Sequence, residues 1–332
     1  MRILCFHLNQ VGDLAFSLPA LKCIRESFPD SHITSVVRPG LAGVLRAAGL
    51  ADEVLLRSNG ALSKLRLIHH LRKGGYDLAV VLSQSASCAL LARLSGANRR
   101  IGFADTSLGF LLTSRVEFHH PPSSENNLRL VEAAGCEISC RDYSGLLRPT
   151  QEQIDHANGI LSHHGIAATD AIAVLAPGTS GRRRVKEWTD EGFAAVGGWL
   201  AGRGIRPVIL GTEPASNIVK ECGEIIDLSG KTNLGEAAAI LGRARLMIGV
   251  DSGILHLCAA VGSPVIGLYG PSNPAITGPQ GEGHIVLTSG ADCSPCIRTE
   301  CEQNRKCMMN IKADAVIERI VLLLDHCILA NQ

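Results

Sequence analysis

Residues 1–28 read MRILCFHLNQVGDLAFSLPALKCIRESF, and this stretch decides the class of fold. Residues 2–8 form a nearly continuous apolar run, which is typical of a parallel β-strand covered on both faces. Between Leu14 and Phe28, apolar residues recur at helical spacing. The stretch therefore predicts a strand, a short loop and a helix, which together are the first unit of an α/β fold.

The same alternation continues along the chain and predicts two doubly wound, Rossmann-like domains with parallel sheets and right-handed crossovers. Residues 135–150 lose the pattern, so we place the boundary there, with domains at 1–150 and 151–332. Ligands of such sheets bind beyond the carboxyl ends of the strands, so we expect the site in a cleft between the domains. Further strands are predicted at 32–37, 53–56, 77–82, 99–103, 172–176, 207–211, 225–228, 246–250, 264–269 and 285–288, and further helices at 61–73, 86–95, 124–134, 150–164, 190–202, 214–223, 234–242, 253–261 and 312–328.

The composition limits the class of partner and the location. The 332 residues are 46% hydrophobic and 19% charged, which is typical of a globular protein. A formal net charge of +1 gives no basic field of the kind that nucleic-acid binding requires. The first apolar run is interrupted by His7, unlike a signal peptide, and no apolar stretch reaches the roughly twenty residues of a spanning helix. We therefore expect no nucleic-acid partner and a cytoplasmic location.

The turn after the first strand carries the first candidate for chemistry. Gly12 permits a tight turn and the close approach of another molecule. Asp13 follows it at the carboxyl edge of the predicted sheet, where its carboxylate would face a ligand. An equally good interpretation from spacing alone is that Asp13 is a helix N-cap, since Asp is a preferred capping residue.

Two stretches in the second half have the composition of a phosphate site. Residues 176–181 place the hydroxyls of Thr179 and Ser180 directly after a strand, and a basic run that includes Lys186 follows. Hydroxyls and cations in this arrangement suit a diphosphate, although a solvated basic loop is the alternative. Residues 249–257 then place a helix start at Ser252 and Gly253, where free N–H groups favour an anion.

Two side chains of this second stretch, Asp251 and His256, are less specific signals. The Asp251 carboxylate is suited to sugar hydroxyls. A lone helical histidine such as His256 is more often packed than catalytic. Residues 268–274 follow as a strand and a rigid turn, and this segment demands no chemistry.

Four of the twelve cysteines crowd into a C-x2-C-x4-C-x5-C pattern near the C-terminus. Four thiolates suffice for a tetrahedral Zn²⁺ or an iron–sulfur cluster. Reduced structural thiols and adventitious disulfides are the alternatives, and the pattern alone leaves the three open. The candidate metal ligands are Cys293, Cys296, Cys301 and Cys307.

Taken together, these motifs resemble glycosyltransferase family 9, the ADP-heptose:lipopolysaccharide heptosyltransferases, and in the Cys-Ser-Pro-Cys segment the heptosyltransferase-II-like members. The resemblance spans nearly the whole chain in order. It rests on residues 1–4, 11–13, 17–22, 28–30, 100–103, 177–180, 186–188, 210–211, 227–230, 251–253, 256, 267–270 and 278–279.

The resemblance implies a GT-B fold, with an N-terminal acceptor-binding domain and a C-terminal nucleotide-sugar-binding domain. It implies an inverting, metal-independent transfer of heptose from ADP-heptose to the lipopolysaccharide inner core. In the family's pattern Asp13 is the catalytic base and Lys186 the lysine that binds phosphate. The donor-binding positions of that pattern are Thr179, Ser180, Glu213, Asp251, Ser252, Gly253 and His256.

A lipid A–sugar acceptor further implies contact with the inner face of the cytoplasmic membrane. The cations Arg57, Lys64, Arg66, Arg72 and Lys73 are either a basic face or ordinary solvated charges. The family also suggests that the final helix packs back on the N-terminal domain. Two alternatives stay open: a GT-B enzyme that uses another nucleotide sugar or acceptor, and a metal-binding protein that uses the cysteine cluster.

Overall fold

A computed structural model describes residues 1–8, 10–119, 123–179, 183–296 and 298–329. Its internal contacts divide the chain into two units, Met1–Arg148 and Pro149–Gln332. This division falls two residues before the boundary expected from the sequence. Within the described residues each unit contains one six-stranded sheet in which every pair of strands is parallel. The predicted α/β class and the two doubly wound parallel sheets are therefore confirmed.

The N-terminal unit has the strand order β3-β2-β1-β4-β5-β6. Its strands are β1 (Arg2–His7), β2 (His32–Val37), β3 (Glu53–Leu56), β4 (Leu78–Leu82), β5 (Arg99–Phe103) and β6 (Ser114–Val116). Its helices are α1 (Val11–Ala15), α2 (Leu18–Ser27), α3 (Ala42–Ala48), α4 (Ala61–Lys73), α5 (Ala86–Leu94) and α6 (Ser123–Ala134), with 3-10 turns at Pro39–Leu41 and Gly109–Leu111.

The C-terminal unit has the strand order β12-β11-β10-β7-β8-β9. Its strands are β7 (Ile172–Ala176), β8 (Arg206–Ile209), β9 (Ile226–Asp227), β10 (Leu246–Val250), β11 (Val265–Leu268) and β12 (Ile285–Leu287). Its helices are α7 (Gln151–His163), α8 (Asp190–Ala201), α9 (Ser216–Glu221), α10 (Leu234–Arg243), α11 (Gly253–Ala260), α12 (Pro274–Thr277), α13 (Lys306–Met309) and α14 (Ala313–Leu329), with a 3-10 turn at Arg184–Lys186.

Both sheets therefore have the same topology, with the first strand of each unit lying beside the fourth. In the N-terminal unit β1 lies between β2 and β4, and in the C-terminal unit β7 lies between β8 and β10. In each sheet the second and third strands lie on one side of the first strand, and the fourth to sixth strands lie on the other side. The loops that follow the first and fourth strands therefore lead to opposite sides. Such a switch point leaves a crevice at the carboxyl ends of the strands, where ligands of open α/β sheets bind.

The central strands are buried because helices cover both faces of each sheet. All five residues of β7 and all five of β10 are buried, which explains their unbroken apolar runs. Gly249 of β10 lies opposite Ala176 of β7, and a Cβ at Gly249 would approach the Ala176 Cβ to 3.0 Å. A glycine at this position thus lets β7 and β10 pack side by side just before their carboxyl ends.

The first predicted helix, residues 14–28, is in fact two helices, α1 and α2. The chain breaks at Phe16 and Ser17, and Pro19 occupies the first turn of α2. Proline is tolerated there because it has no N–H to donate to a preceding turn. Four elements were missed, and they are α3, α12, α13 and β6. Helix α3 follows a 3-10 turn, and β6 is a short edge strand without an apolar run.

Helix α14 packs by one face into the core of the C-terminal unit. Its residues Val316, Ile320 and Leu323 are buried there together with residues of α8. Within the described ranges, no helix is long and apolar enough to cross a membrane.

Candidate functional site

The switch point of the C-terminal unit brings together the two stretches that the sequence suggested for phosphate. Thr179 follows β7, and Asp251 follows the neighbouring strand β10. Helix α11 begins at Gly253 beside them, so its free N–H groups lie at the same edge of the sheet. The two stretches are far apart in sequence but adjacent in the fold because β7 and β10 are neighbours.

An ion pair lies at the centre of this edge. The Nζ of Lys186 is 2.5 Å from Oδ2 of Asp251, and the two side chains are only 13% and 6% exposed. The Nε2 of His256 lies 3.7 Å from the other carboxylate oxygen, Oδ1. His256 is buried in the first turn of α11, so its imidazole is directed at the carboxylate. The structure thus assembles three of the predicted site residues into one cluster.

The Asp251 carboxylate is held in its charged form. Burial alone would raise its pKa, since a low-dielectric surrounding disfavours a charge. The neighbouring His256 ring, the Lys186 ammonium and a hydrogen bond from Ser272 outweigh burial and hold the pKa of Asp251 well below its usual range. At neutral pH the cluster therefore contains a carboxylate whose charge offsets that of the lysine.

Two buried hydroxyls of these stretches have no hydrogen-bond partner among the residues that the structure describes. The Thr179 Oγ1 and the Ser252 Oγ are buried and make no hydrogen bond to any part of the chain that the structure describes. Ser252 occupies the N-cap position of α11, yet its side chain does not cap the helix. Buried hydroxyls are normally paired, so these two are available to a ligand with acceptor oxygens. Ser180, the predicted partner of Thr179, lies outside the described residues.

The next strand adds residues that the sequence analysis missed. Ser272 and Thr277 follow β11 and both reach Asp251, and the distance from Thr277 Oγ1 to Asp251 Oδ2 is 3.4 Å. The Tyr269 hydroxyl donates to the Thr277 carbonyl oxygen over 2.7 Å and fixes that turn. The segment 268–274 was interpreted as a rigid turn without chemistry. The strand and the turn are confirmed, and the turn also supplies Ser272 as a hydrogen-bond partner of Asp251.

Glu213 lies apart from this cluster. It follows β8, and its side chain is 73% exposed. Its Oε2 lies 4.0 Å from the Nη2 of Arg184, a residue of the basic run whose side chain is 71% exposed. The Nε of Arg184 also lies 3.4 Å from Glu187 Oε2. This arginine is thus paired with carboxylates of its own chain.

The cysteine segment connects to the loops on both sides of the ion pair. Arg305 Nη1 donates to the Glu187 carbonyl oxygen over 3.0 Å, next to Lys186. The Cys296 N–H donates to the Pro271 carbonyl oxygen over 2.7 Å, next to Ser272. Trp188 adds a third connection, since its Nε1 donates to the Ile311 carbonyl oxygen over 2.9 Å. The segment therefore holds the position of the loops that carry Lys186 and Ser272.

The four clustered thiols are neighbours, but they do not form a metal-ligand set in this structure. Burial raises the pKa of the Cys307 thiol, and the adjacent Cys293, Cys296 and Cys301 raise it further. The Sγ of Cys301 accepts the Arg305 N–H over 3.2 Å. Across the described ranges, no three His, Cys, Asp or Glu side chains are arranged to hold a metal ion.

The switch point of the N-terminal unit carries Gly12 and Asp13. Asp13 is half-buried in the first turn of α1, whose N-cap is Gln10. The alternative interpretation of Asp13 as the N-cap was therefore wrong. Asp13 lies in the helix that follows the carboxyl end of β1. This is the edge of the sheet at which the sequence analysis expected it.

A buried histidine fixes the end of β1 beside this helix. The Nδ1 of His7 lies 2.8 Å from Ser17 Oγ, and its Nε2 lies 3.1 Å from Ser35 Oγ. The Ser17 hydroxyl donates to the Leu14 carbonyl oxygen, so it accepts from His7, whose proton is therefore on Nδ1. Burial lowers the pKa of His7 from 6.5 to about 4. A neutral imidazole thus ties β1 to the junction of α1 and α2.

Known proteins match this chain over most of its length. The model of glycosyltransferase family 9 (heptosyltransferase) matches residues 64–306. Lipopolysaccharide heptosyltransferase 1 of Pseudomonas aeruginosa is 37% identical, with 92% of this chain and 90% of that protein covered. A family 9 glycosyltransferase structure from Veillonella parvula has a TM-score of 0.84 at 27% identity and covers 98% of this chain and 97% of its own. The structure of E. coli heptosyltransferase WaaC with ADP has a TM-score of 0.74 at 22% identity, with 97% and 100% covered.

Proposed function

Because this chain belongs to glycosyltransferase family 9, the heptosyltransferases, we propose that it transfers heptose from ADP-heptose to a sugar of the lipopolysaccharide inner core. The observation that carries the proposal is the Lys186–Asp251 pair at a switch point, in stretches that also hold a helix start and two buried hydroxyls without a partner in the described chain. The choice of ADP is supported by the solved relative that contains ADP, and the choice of heptose by the names of the relatives. The acceptor, a lipid A-linked core sugar, places the reaction at the inner face of the cytoplasmic membrane.

In this proposal the C-terminal unit binds the diphosphate of the donor. The Lys186 ammonium and the N–H groups at Ser252 and Gly253 offer positive charge to the phosphate oxygens. The unpaired hydroxyls of Thr179 and Ser252 donate hydrogen bonds to the same oxygens. As the bond between the anomeric carbon and the phosphate oxygen breaks, these groups stabilise the negative charge that develops on the leaving ADP. Ser180 would extend the set, as the family's pattern implies.

In this proposal Asp251 binds the donor sugar, and His256 positions the Asp251 carboxylate. Asp251 is charged and accepts hydrogen bonds, so it suits hydroxyl groups of the donor sugar. His256 fixes the carboxylate from the core side. Glu213 is exposed beside Arg184, and in this proposal it receives the ribose hydroxyls of ADP.

Asp13 would act as the general base of the transfer. The acceptor hydroxyl oxygen attacks the anomeric carbon, the bond to the phosphate breaks on the opposite side, and the proton passes to the Asp13 carboxylate. A single displacement inverts the anomeric centre and forms no covalent enzyme intermediate. The half-buried position of Asp13 beyond β1 and the adjacent Gly12 support this role. Lys186 and the helix start supply the positive charge, so we propose that the reaction requires no metal.

The test compares ADP-heptose with UDP- and GDP-sugars on the wild type and on Asp13→Asn. We expect selective binding of ADP-heptose by both proteins, and transfer to a lipid A–sugar acceptor that falls roughly 10²–10⁴-fold in the variant. Asp30→Asn, an exposed carboxylate of the same unit, is the matched control and should retain full activity.

Each other outcome has a defined meaning. A preference for another nucleotide sugar would overturn the donor assignment and leave the family intact. Unchanged turnover by Asp13→Asn would remove the base from this position. Retention of the anomeric configuration in the product, read by NMR, would contradict the single displacement.

A further inference from the structure

Helix α4 has two apolar stripes, and only one of them faces the core. Leu67 and Leu71 are buried against the sheet of the N-terminal unit. Leu62 and Leu65 lie on the opposite side of the helix, where they are 71% and 63% exposed. A surface helix normally presents polar residues on the side away from the core. This second stripe therefore has no role in packing within the described chain.

The exposed apolar surface continues onto the neighbouring elements. Helix α4 packs against α5, which in turn packs against the 3-10 turn at Gly109–Leu111. All three cover the same face of the sheet, since the inward residues of α4 and α5 share one cluster with Leu108 and Leu112, which flank the 3-10 turn. Their outward residues include Leu90, which is 42% exposed, and Phe110, which is 72% exposed. We call this outer surface the α4–α5 face. Its apolar members are Leu62, Leu65, Leu90 and Phe110.

The charged residues of helices α4 and α5 themselves are all basic. Residues 61–73 and 86–94 contain no Asp or Glu, whereas the whole chain has a net charge of only +1. The positive charge is therefore a local concentration rather than a property of the protein. The basic members of the face are all exposed, and they are Lys64, Arg66, Arg72, Lys73 and Arg93.

This combination selects one class of partner. Leucines on a helix among Lys and Arg, without an acidic residue, are the pattern of a helix that lies in the plane of a membrane surface. The apolar side chains enter the boundary between headgroups and acyl chains, while the long cationic side chains extend to the lipid phosphates. We propose that the α4–α5 face docks the protein on a bilayer surface that contains anionic lipids. The inference rests on the proposed function and deepens it, because the acceptor proposed there is attached to a lipid.

Vesicle co-sedimentation of the full chain tests the inference. The probes are phosphatidylcholine vesicles with and without about 30% phosphatidylglycerol, at low and high NaCl. We expect binding to the anionic vesicles that weakens as salt screens the charges. The double variant Leu62→Ser/Leu65→Ser should bind roughly tenfold or more weakly, because two apolar side chains no longer enter the interface. The charge reversal Lys64→Glu/Arg66→Glu should weaken binding at least as much.

The matched control is Ile154→Ser/Val321→Ser, which alters two exposed apolar residues of the C-terminal unit and should leave vesicle binding unchanged. Thermal melting checks that each variant folds, and the affinity for ADP without vesicles should equal that of the wild type. Equal binding to neutral vesicles, no vesicle binding, or unchanged binding by both α4 variants would overturn the inference. Vesicle binding without any nucleotide-sugar binding would leave this surface intact and overturn the proposed function instead.

Discussion

The Nζ of Lys186 lies 2.5 Å from the Oδ2 of Asp251, although the two residues are 65 positions apart in the sequence. Each charged group offsets the cost of burying the other, since both side chains are nearly inaccessible to solvent. The pair exists because β7 and β10 are neighbours and their following loops end at the same edge of the sheet. A donor diphosphate would approach the ammonium in competition with this carboxylate.

Removal of the lysine should destabilise the fold as well as impair donor binding. In Lys186→Met the Asp251 carboxylate, whose side chain is 6% exposed, loses its cation. We expect the free energy of unfolding to fall by about 3 kcal/mol, which urea denaturation at neutral pH would measure. Arg184→Met removes an exposed cation from the same turn and should change stability by less than about 0.5 kcal/mol. If Lys186→Met were as stable as this control, the Lys186–Asp251 pair would not contribute to the free energy of unfolding.

The unpaired hydroxyls should matter for the donor and not for the fold. Thr179→Val and Ser252→Ala remove groups that have no partner among the described residues, so stability should stay the same or rise slightly. The affinity for ADP-heptose should fall roughly tenfold for each, because a hydrogen bond to a charged oxygen is lost. Isothermal titration would measure this. Thr106→Val, another buried hydroxyl unpaired in the described chain, is the control, and an equal loss of affinity there would refute the assignment.

The buried imidazole of His7 predicts a pH dependence of stability. Burial lowers its pKa from 6.5 to about 4, so the unfolded chain binds this proton first as the pH falls. Its contribution to stability is therefore complete above about pH 6.5 and is lost progressively between pH 6.5 and 4, by about 3 kcal/mol in total. Denaturant titrations at several pH values would measure the slope. His7→Gln should flatten it, whereas the exposed His69→Gln should leave it unchanged.

The cysteine segment should act without a metal. We expect full transfer activity after dialysis against EDTA and 1,10-phenanthroline, because in the proposed donor site Lys186 and a helix start supply the positive charge. Elemental analysis of the purified protein under reducing conditions tests whether the cysteine segment binds a metal, since the C-x2-C-x4-C-x5-C pattern itself suits zinc or iron. Loss of activity on chelation, restored by one metal, would contradict metal independence. Metal content and transfer activity should also be measured for Cys301→Ser, which removes a clustered thiol, and for the control Cys88→Ser, which removes a buried thiol outside the cluster.

Much of the fold was predictable because buried parallel strands leave a plain signal. The runs that become β1, β7 and β10 are continuous and apolar, and each ends in a loop with polar or small residues. Edge strand β6 has no such run, since SRV is largely exposed. The break between α1 and α2 also escaped, although Pro19, which has no N–H to continue the helical bonding, follows it closely.

The site was predictable as separate pieces. Lys186 and Asp251 each stood out in a motif, yet their contact depends on strand order, which local spacing does not encode. Ser272 belongs to a segment that was interpreted only as a turn, and Thr277 carries no motif. The order of the strands would have pointed to them, since the loop after β11 must lie beside the loop after β10.

The position of the switch points has a consequence for how such enzymes diverge. Strand order is fixed by buried ladders, whereas the chemistry at the crevice sits on loops that contribute little to those ladders. Mutation can therefore replace the groups that meet a sugar or an acceptor while the sheets keep their geometry. A solved relative with a TM-score of 0.84 at only 27% identity fits this division of labour. A change of acceptor therefore requires changes in a few loops and no change in the fold.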